Sequence, residues 1–247
     1  MPTSVAVSKS KLNKTLEICV DSLGLALAAE QGGADRIELC GPLHGGGITP
    51  SAGLAAAARA KINVPLAMLV RVRTGAFTVS AAEFEVMRRD VLYARELGMD
   101  VVVLGILRDD QTVDVERTGA LVELSRPMQV TFHRAFDVAV DREQALADVI
   151  ATGATRILTS GASASALLGA AAVAHLRERA ATRITMLLCG GVGVTNVKQA
   201  MAISGTSEVH AALRSSVAID ASTGTHSDAD LDHFAASVAK LKTRMLS

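Results

Sequence analysis

The chain has 247 residues, a formal net charge of zero, a high apolar content and very few aromatic side chains. Its 25 basic and 25 acidic residues leave no positive field to attract nucleic acid, so a nucleic-acid partner is not expected. No charge-free run of about 18 apolar residues occurs, so neither a membrane-spanning helix nor a membrane partner is predicted.

Residues 1–14 are polar and are expected to form a flexible tail without a secretory signal, and strand-like and helical segments alternate after them. The predicted strands are Leu16–Val20, Asp35–Cys40, Leu66–Val70, Val101–Leu104, Met128–Phe132, Arg156–Thr159, Ile184–Leu188 and Glu208–His210. The predicted helices cover residues 23–31, 52–61, 81–97, 115–124, 142–152, 165–178, 196–203 and 230–245. The strands are short β-branched runs, which is typical of strands buried in a parallel sheet.

Eight consecutive strand–helix units predict the fold class. Eight such units in about 250 residues match the size of a (β/α)8 TIM barrel, so a single-domain α/β barrel over residues 15–247 is predicted. A doubly wound open sheet is the alternative, but no Gly-x-Gly-x-x-Gly turn follows the first strand. The active face of a TIM barrel lies at the carboxyl ends of its strands, so side chains there are the first candidates for function.

Polar side chains are concentrated at these strand ends. The candidates for catalytic groups are Glu17, Glu38, Arg71 and His133. The candidates for binding a substrate or an anion are Arg73, Ser160, Gly161, Gly190, Gly191 and His210. Loops after the seventh strand often hold phosphate in these barrels, and the two adjacent glycines place backbone N–H groups before a helix. Interior ion pairs and tight turns are the alternative explanation for the charges and the glycines.

The three cysteines are too few, and odd in number, for a disulfide framework, and they indicate a reduced, cytosolic protein. Alternation along a strand places Glu17 with Cys19 on one face, and Glu38 with Cys40 on one face. Thiolates are soft ligands that favour Cu(I), and adjacent strands lie about 4.8 Å apart. Cys19 and Cys40 are expected to lie at similar heights on these strands, where their sulfurs could hold Cu(I) in linear geometry. The alternative is that each thiol is a small buried hydrophobe.

The sequence resembles the CutC copper-homeostasis family from about Leu16 to the region of His210. The matching segments are Leu16–Ser22, Gly32–Cys40, Gly46–Ser51, Thr131–Asp137 and Leu158–Gly161. The resemblance implies a TIM barrel, a cytoplasmic location, a homo-oligomer and a role in copper handling. It also implies that the two copper-associated cysteines of the family correspond to Cys19 and Cys40.

The chain departs from the family pattern at three places. Where the family has Arg-Pro-Arg-Gly-Gly-Asp-Phe, this chain has Arg71-Val72-Arg73-Thr74-Gly75-Ala76-Phe77, so the acid is lost at Ala76. Cys189 stands where the family has the first of several glycines, and Ala212 replaces a family serine after the eighth strand. The last change removes a hydroxyl from the predicted anion site.

Two main functional hypotheses follow. One is a cytoplasmic Cu(I)-binding protein with Cys19 and Cys40 as ligands. The other is an enzyme that acts on a small anionic or phosphorylated molecule, with an arginine clamp and with Glu38 or His133 handling protons. A third alternative is a scaffolding barrel with a fully packed interior. The residues alone leave open whether the protein is an enzyme.

Overall fold

The computed structural model describes residues 14–213 and 226–247, so the predicted N-terminal tail lies almost wholly outside the described residues. The strands are β1 (Thr15–Val20), β2 (Arg36–Leu39), β3 (Leu66–Leu69), β4 (Val101–Leu104), β5 (Gln129–Phe132), β6 (Arg156–Thr159), β7 (Thr185–Leu188) and β8 (Glu208–Ala211). The helices are α1 (Leu23–Gln31), α2 (Ala52–Arg59), α3 (Ala81–Glu96), α4 (Val115–Ser125), α5 (Arg142–Thr152), α6 (Ala166–Ala180), α7 (Val197–Ser204) and α8 (Asp228–Leu246).

The eight strands are parallel and form a closed barrel in sequence order, with β1 paired to both β2 and β8. Closure confirms the predicted TIM barrel and excludes the open doubly wound sheet, in which the first and last strands would not pair. Among the described helices, none is long and apolar enough to cross a membrane.

Local capping explains most helix boundaries. The Ser80 hydroxyl accepts from the backbone N–H of Glu83, and the Glu83 carboxylate accepts from that of Ser80, which is a capping box at the start of α3. Ser227 and Asp230 form the same arrangement at α8, so this helix begins two residues earlier than predicted. Gly153 ends α5 in the left-handed conformation that glycine adopts readily.

The alternation of side chains along the strands divides the interior into two layers. Leu16, Ile18 and Val20 of β1 pack in the large core that also contains the helix side chains. Cys19, between them, belongs to a smaller cluster with side chains from β3 and β4, together with Cys40. The predicted sharing of one strand face by Glu17 and Cys19 therefore places both inside the barrel.

The strand register sets the heights of the interior side chains. Cys19 lies opposite Glu38, whereas Glu17 lies opposite both Arg36 of β2 and His210 of β8. Cys40 therefore lies two residues beyond the register partner of Cys19, and the expectation that the two thiols lie at similar heights is wrong. Neighbouring strands of a closed barrel are staggered, which alternation within one strand cannot reveal.

Candidate functional site

A cavity of about 870 Å³ opens at the carboxyl ends of the strands. Seven of the predicted site residues line it: Cys19, Glu38, Arg71, His133, Gly190, Gly191 and His210. The other five do not line it: Glu17, Cys40, Arg73, Ser160 and Gly161. A fully packed interior would have favoured the scaffolding alternative, and this cavity does not meet that expectation.

Glu17 is completely buried and is held by ion pairs. It pairs with Arg36 on the neighbouring strand, and its Oε1 lies 2.7 Å from Nδ1 of His210. Burial alone would raise the pKa of Glu17, but Arg36 and His210 outweigh it and lower the pKa to about 2. Arg36 also binds Glu208 at 2.8 Å, and Glu208 binds Arg156 at 3.0 Å. Glu17 therefore positions the His210 ring from beneath the cavity.

Arg36 is the interior residue that sequence reasoning missed. It precedes Glu38 by two residues, so the same alternation that places Glu38 inside the barrel also places Arg36 there. For Glu17 and Glu208, the structure thus supports the ion-pair alternative raised from the sequence.

Glu38 is buried but has only weak partners. Its Oε1 lies 3.5 Å from the Cys19 sulfur, and its Oε2 has no hydrogen-bond partner among the described residues. Burial raises the pKa of Glu38; nearby His210 opposes the rise and nearby Glu17 adds to it, and the resulting pKa is about 7. A cavity-lining carboxyl that titrates near neutral pH is suited to proton transfer.

The two predicted metal-binding thiols are in contact despite their offset. The sulfurs of Cys19 and Cys40 lie 3.6 Å apart, and all three cysteines of the chain are free. Cys40 is fully buried, and its sulfur lies 3.4 Å from the carbonyl oxygen of Val20. The hydrogen bond to Cys40, burial and the charge of Glu38 all raise the pKa of Cys19. A metal that binds here must therefore displace a proton.

Arg71 and His133 form a wall of the cavity around Phe77. Arg71 stacks 4.8 Å from the Phe77 ring centroid and donates to the carbonyl oxygens of Gly47 at 3.1 Å and Gly75 at 2.8 Å. These acceptors are neutral, and no carboxylate pairs with Arg71 among the described residues. Arg71 therefore adds an uncompensated positive charge to the cavity wall.

His133 contributes a neutral hydrogen-bond donor to the same wall. Burial and the charge of Arg71 lower the pKa of His133 to about 3, so its ring is uncharged at neutral pH. Nδ1 accepts from the backbone N–H of Ala135 at 3.3 Å, which assigns the ring proton to Nε2. A cation and a neutral donor side by side suit an anionic ligand.

Three predicted anion-binding residues make their polar contacts elsewhere. Arg73 donates to Glu83 at 2.6 Å, away from the cavity. The backbone N–H of Ser160 donates to Asp137, and that of Gly161 donates to the Thr159 hydroxyl at 2.9 Å. Asp137 also accepts from the Ser160 hydroxyl at 3.0 Å, so it anchors this loop and occupies both donors that Ser160 offered for an anion.

Gly190 and Gly191 keep their backbone donors available. Both have positive φ, at 105° and 64°, and a Cβ on Gly190 would lie 2.9 Å from the Ser160 side chain. Their N–H groups make no hydrogen bond within the described residues, whereas the next glycine, Gly193, donates to Asn196 at 3.0 Å. Consecutive free N–H groups on a cavity wall are suited to binding an anion.

Glu38→Gln is expected to be more stable than the wild type at alkaline pH. The pKa of Glu38 rises from 4.5 to about 7 on folding, so between these pH values the folded chain keeps a proton that the unfolded chain has lost. The contribution of Glu38 to the stability of the wild type therefore falls as pH rises through this window and levels off above it. This loss of stability is at most about 3 kcal/mol. The glutamine variant has no titrating group at this position, so its stability should not fall in this window.

Urea unfolding at pH values below and above this window checks the prediction. The advantage of Glu38→Gln should be present on the alkaline side and absent on the acidic side, while Glu85→Gln on the exposed face of α3 serves as the control. An equal stability difference at both pH values would contradict a raised pKa of Glu38. Glu17 does not interfere, since its lowered pKa costs stability only as pH falls below 4.5 towards 2.

The fold and the site can be compared with known proteins. The CutC family model matches residues 14–215. A CutC-named protein of Chromobacterium violaceum is 51% identical over 207 residues, which cover 84% of each chain. The human protein named copper homeostasis protein cutC homolog is 41% identical over 200 residues, covering 81% of this chain and 73% of its own. A solved CutC structure from Streptococcus agalactiae gives a TM-score of 0.76 at 30% identity over 80% of this chain and 97% of its own. The chain belongs to the CutC family.

Proposed function

We propose that this protein takes part in copper homeostasis by binding Cu(I) between the thiols of Cys19 and Cys40. The observation that carries the proposal is the 3.6 Å separation of the two sulfurs inside the barrel. Soft thiolates are preferred ligands of Cu(I). The name of the human relative and the resemblance to the family support copper as the metal.

The geometry of the thiol pair fits a metal bridge better than a disulfide. Cys40 lies two residues beyond the register partner of Cys19. Strand spacing and rise then separate their Cα atoms by about 8 Å, beyond the limit of about 7 Å for a disulfide. With metal–sulfur bonds of about 2.3 Å, the present sulfur separation suits a bent bridge. A linear S–Cu–S bridge needs the two sulfurs to move apart by about 1 Å.

The surroundings of the pair allow an ion to enter. Cys19 lines the cavity, and Cys40 lies behind it under Gly47, so the cavity leads to one of the two sulfurs. A cytoplasmic location and a homo-oligomeric state belong to the same proposal. The free thiols support the reducing compartment, and the family resemblance supports the assembly.

An anaerobic Cu(I) titration against a chromophoric chelator tests the proposal. The wild type should bind one Cu(I) per chain through the thiol pair. The Cys19→Ser, Cys40→Ser double variant should bind more than about 100-fold more weakly, because changes behind the metal ligands alone cost 10- to 100-fold.

Cys189→Ser is the matched control. Cys189 is also buried and lines the cavity, but it packs with Leu158 and Leu187 in a separate cluster. This variant should bind Cu(I) like the wild type. Equal affinity of the double variant and the wild type would reject the thiol pair as the copper site.

We propose as a second candidate an enzyme that acts on a small anionic or phosphorylated molecule in the same cavity. The observation that favours it is Arg71, which lines the cavity and binds only neutral carbonyl groups. The free N–H groups of Gly190 and Gly191 offer further anion contacts, and Glu38 and His133 supply a proton acceptor and a hydrogen-bond donor.

Thermal unfolding of dialysed protein with phosphate and with a library of phosphorylated metabolites checks this candidate. A ligand at 100 times its dissociation constant should add about 2.7 kcal/mol of stability. Arg71→Met should remove the stabilisation, whereas Arg73→Met should retain it because Arg73 binds Glu83 outside the cavity. No stabilisation by any compound, or equal stabilisation of Arg71→Met, would contradict the candidate.

A further inference from the structure

Two buried carboxylates and an imidazole converge at the floor of the cavity. Nδ1 of His210 lies 2.7 Å from Glu17 Oε1 and 3.8 Å from Glu38 Oε2. One donor atom from each of the three side chains lies within 4.8 Å of the other two. Glu17 and Glu38 come from adjacent strands, and His210 comes from the strand on the other side of β1. The barrel stagger thus brings three potential metal ligands to one point.

A buried oxygen without a partner points to a missing ligand. Glu38 is 4% exposed, and its Oε2, the atom nearest to His210, accepts no hydrogen bond from the described residues. A buried carboxylate oxygen left unpaired is costly. The cavity in front of Glu38 leaves room for a cation that would satisfy this oxygen.

The arginine side chains of the barrel interior bind the other carboxylates and leave Glu38 without a guanidinium partner among the described residues. Glu17 and Glu208 share the guanidinium groups of Arg36 and Arg156. Glu38 is the third carboxylate of this region, and no arginine or lysine pairs with it in the described part of the chain. The basic side chain that Glu38 faces is therefore His210, at 3.8 Å, and a bound cation would add a second positive partner.

We propose that Glu17, Glu38 and His210 bind a divalent transition-metal ion, such as Mn²⁺, Fe²⁺, Co²⁺ or Zn²⁺, through oxygen and nitrogen. An ion about 2.1 Å from each donor needs donors about 3–4 Å apart, which small side-chain shifts provide. Two carboxylates and one imidazole suit borderline divalent ions, whereas the soft Cu(I) prefers thiols. The site therefore does not depend on the proposed copper function.

Surrounding contacts already orient the proposed ligands. Arg36 binds Oε2 of Glu17, which leaves Oε1 directed at His210. Metal-binding carboxylates commonly have such a second partner, which fixes their orientation. Because Glu38 and His210 line the cavity, the open coordination positions would face it. There the ion could polarise the oxygen of an anionic ligand whose charge is met by Arg71.

The test is a Co²⁺ titration of the chelator-treated, full-length protein, followed by visible absorption. The wild type should bind one Co²⁺ per chain and show d–d bands without a thiolate-to-metal charge-transfer band. Glu38→Gln preserves side-chain shape and should weaken binding by at least about 100-fold, as should His210→Ala. Circular dichroism and thermal unfolding verify that both variants fold.

Two controls separate this site from others. The Cys19→Ser, Cys40→Ser variant should still bind one Co²⁺ per chain, and Glu85→Gln, whose side chain is exposed on α3, should bind Co²⁺ like the wild type. Absence of Co²⁺ binding by the folded wild type would overturn the proposal. Unchanged affinity in Glu38→Gln and His210→Ala, or a thiolate band that the double variant loses, would also overturn it. Cu(I) binding is measured separately, so either metal proposal can fail without the other.

Discussion

Glu17→Ala is expected to lower the free energy of unfolding by about 3–5 kcal/mol. Glu17 is fully buried and contacts both Arg36, which is 5% exposed, and His210. Removing the carboxylate leaves Arg36 with Glu208 as its only ion-pair partner in the described residues, and it leaves Nδ1 of His210 without its 2.7 Å contact. The guanidinium groups of Arg36 and Arg156 then share the single carboxylate of Glu208, and this partly uncompensated charge accounts for most of the expected loss.

Urea unfolding of matched variants measures this effect. Glu85→Ala removes one member of an exposed ion pair with Arg89 on α3 and should change stability by less than about 1 kcal/mol. Glu17→Gln keeps the shape and one acceptor, so its loss should lie between those of the two alanine variants. A loss for Glu17→Ala no larger than that for Glu85→Ala would show that the interior ion pairs do not hold the barrel together.

Gly169→Ala is expected to destabilise the protein by about 3 kcal/mol or more, at or above the upper end of ordinary overpacking. A Cβ on Gly169 would lie 1.8 Å from the carbonyl oxygen of Ser160, which is backbone and cannot rotate away. The contact is reciprocal, since a Cβ on Gly161 would lie 2.5 Å from the carbonyl oxygen of Gly169. The first turn of α6 and the loop after β6 therefore require glycine at their contact.

Gly119→Ala is the matched control for this substitution. Gly119 lies inside α4, and a Cβ there would come no closer than 4.0 Å to Thr152. Alanine should therefore raise stability by about 0.5–1 kcal/mol through helix propensity. If chemical unfolding shows that Gly169→Ala is as stable as Gly119→Ala, or more stable, the close approach of α6 to the loop is contradicted.

The barrel could be predicted because its signals are local. Apolar runs mark the strands, and serine caps and glycine ends mark the helices, so β4, β6, α1 and α5 have the predicted bounds. The boundaries that differ lie at the ends of elements, such as the start of α8 at Asp228, which Ser227 caps. The count of eight strand–helix units then favoured a closed barrel.

The site could be predicted only in part. Alternation placed Cys19 and Glu38 on a shared inner face, and the end of the eighth strand indicated His210; all three line the cavity. Ser160 and Arg73 also looked available from their positions at strand ends, yet Asp137 and Glu83 already bind them. Glu83 lies 10 residues from Arg73 in the chain, and Asp137 lies 23 residues from Ser160. No local sequence pattern indicates contacts at these separations.

For this protein, the order of residues was sufficient for the fold class, the family and the set of polar side chains that enter the barrel. The mutual positions of those side chains came from barrel closure, because the stagger between strands sets which residues meet. Closure brings Glu17 to His210 across 193 residues and lets two offset thiols approach to 3.6 Å. It also leaves Glu38 beside them with an oxygen that no described residue satisfies.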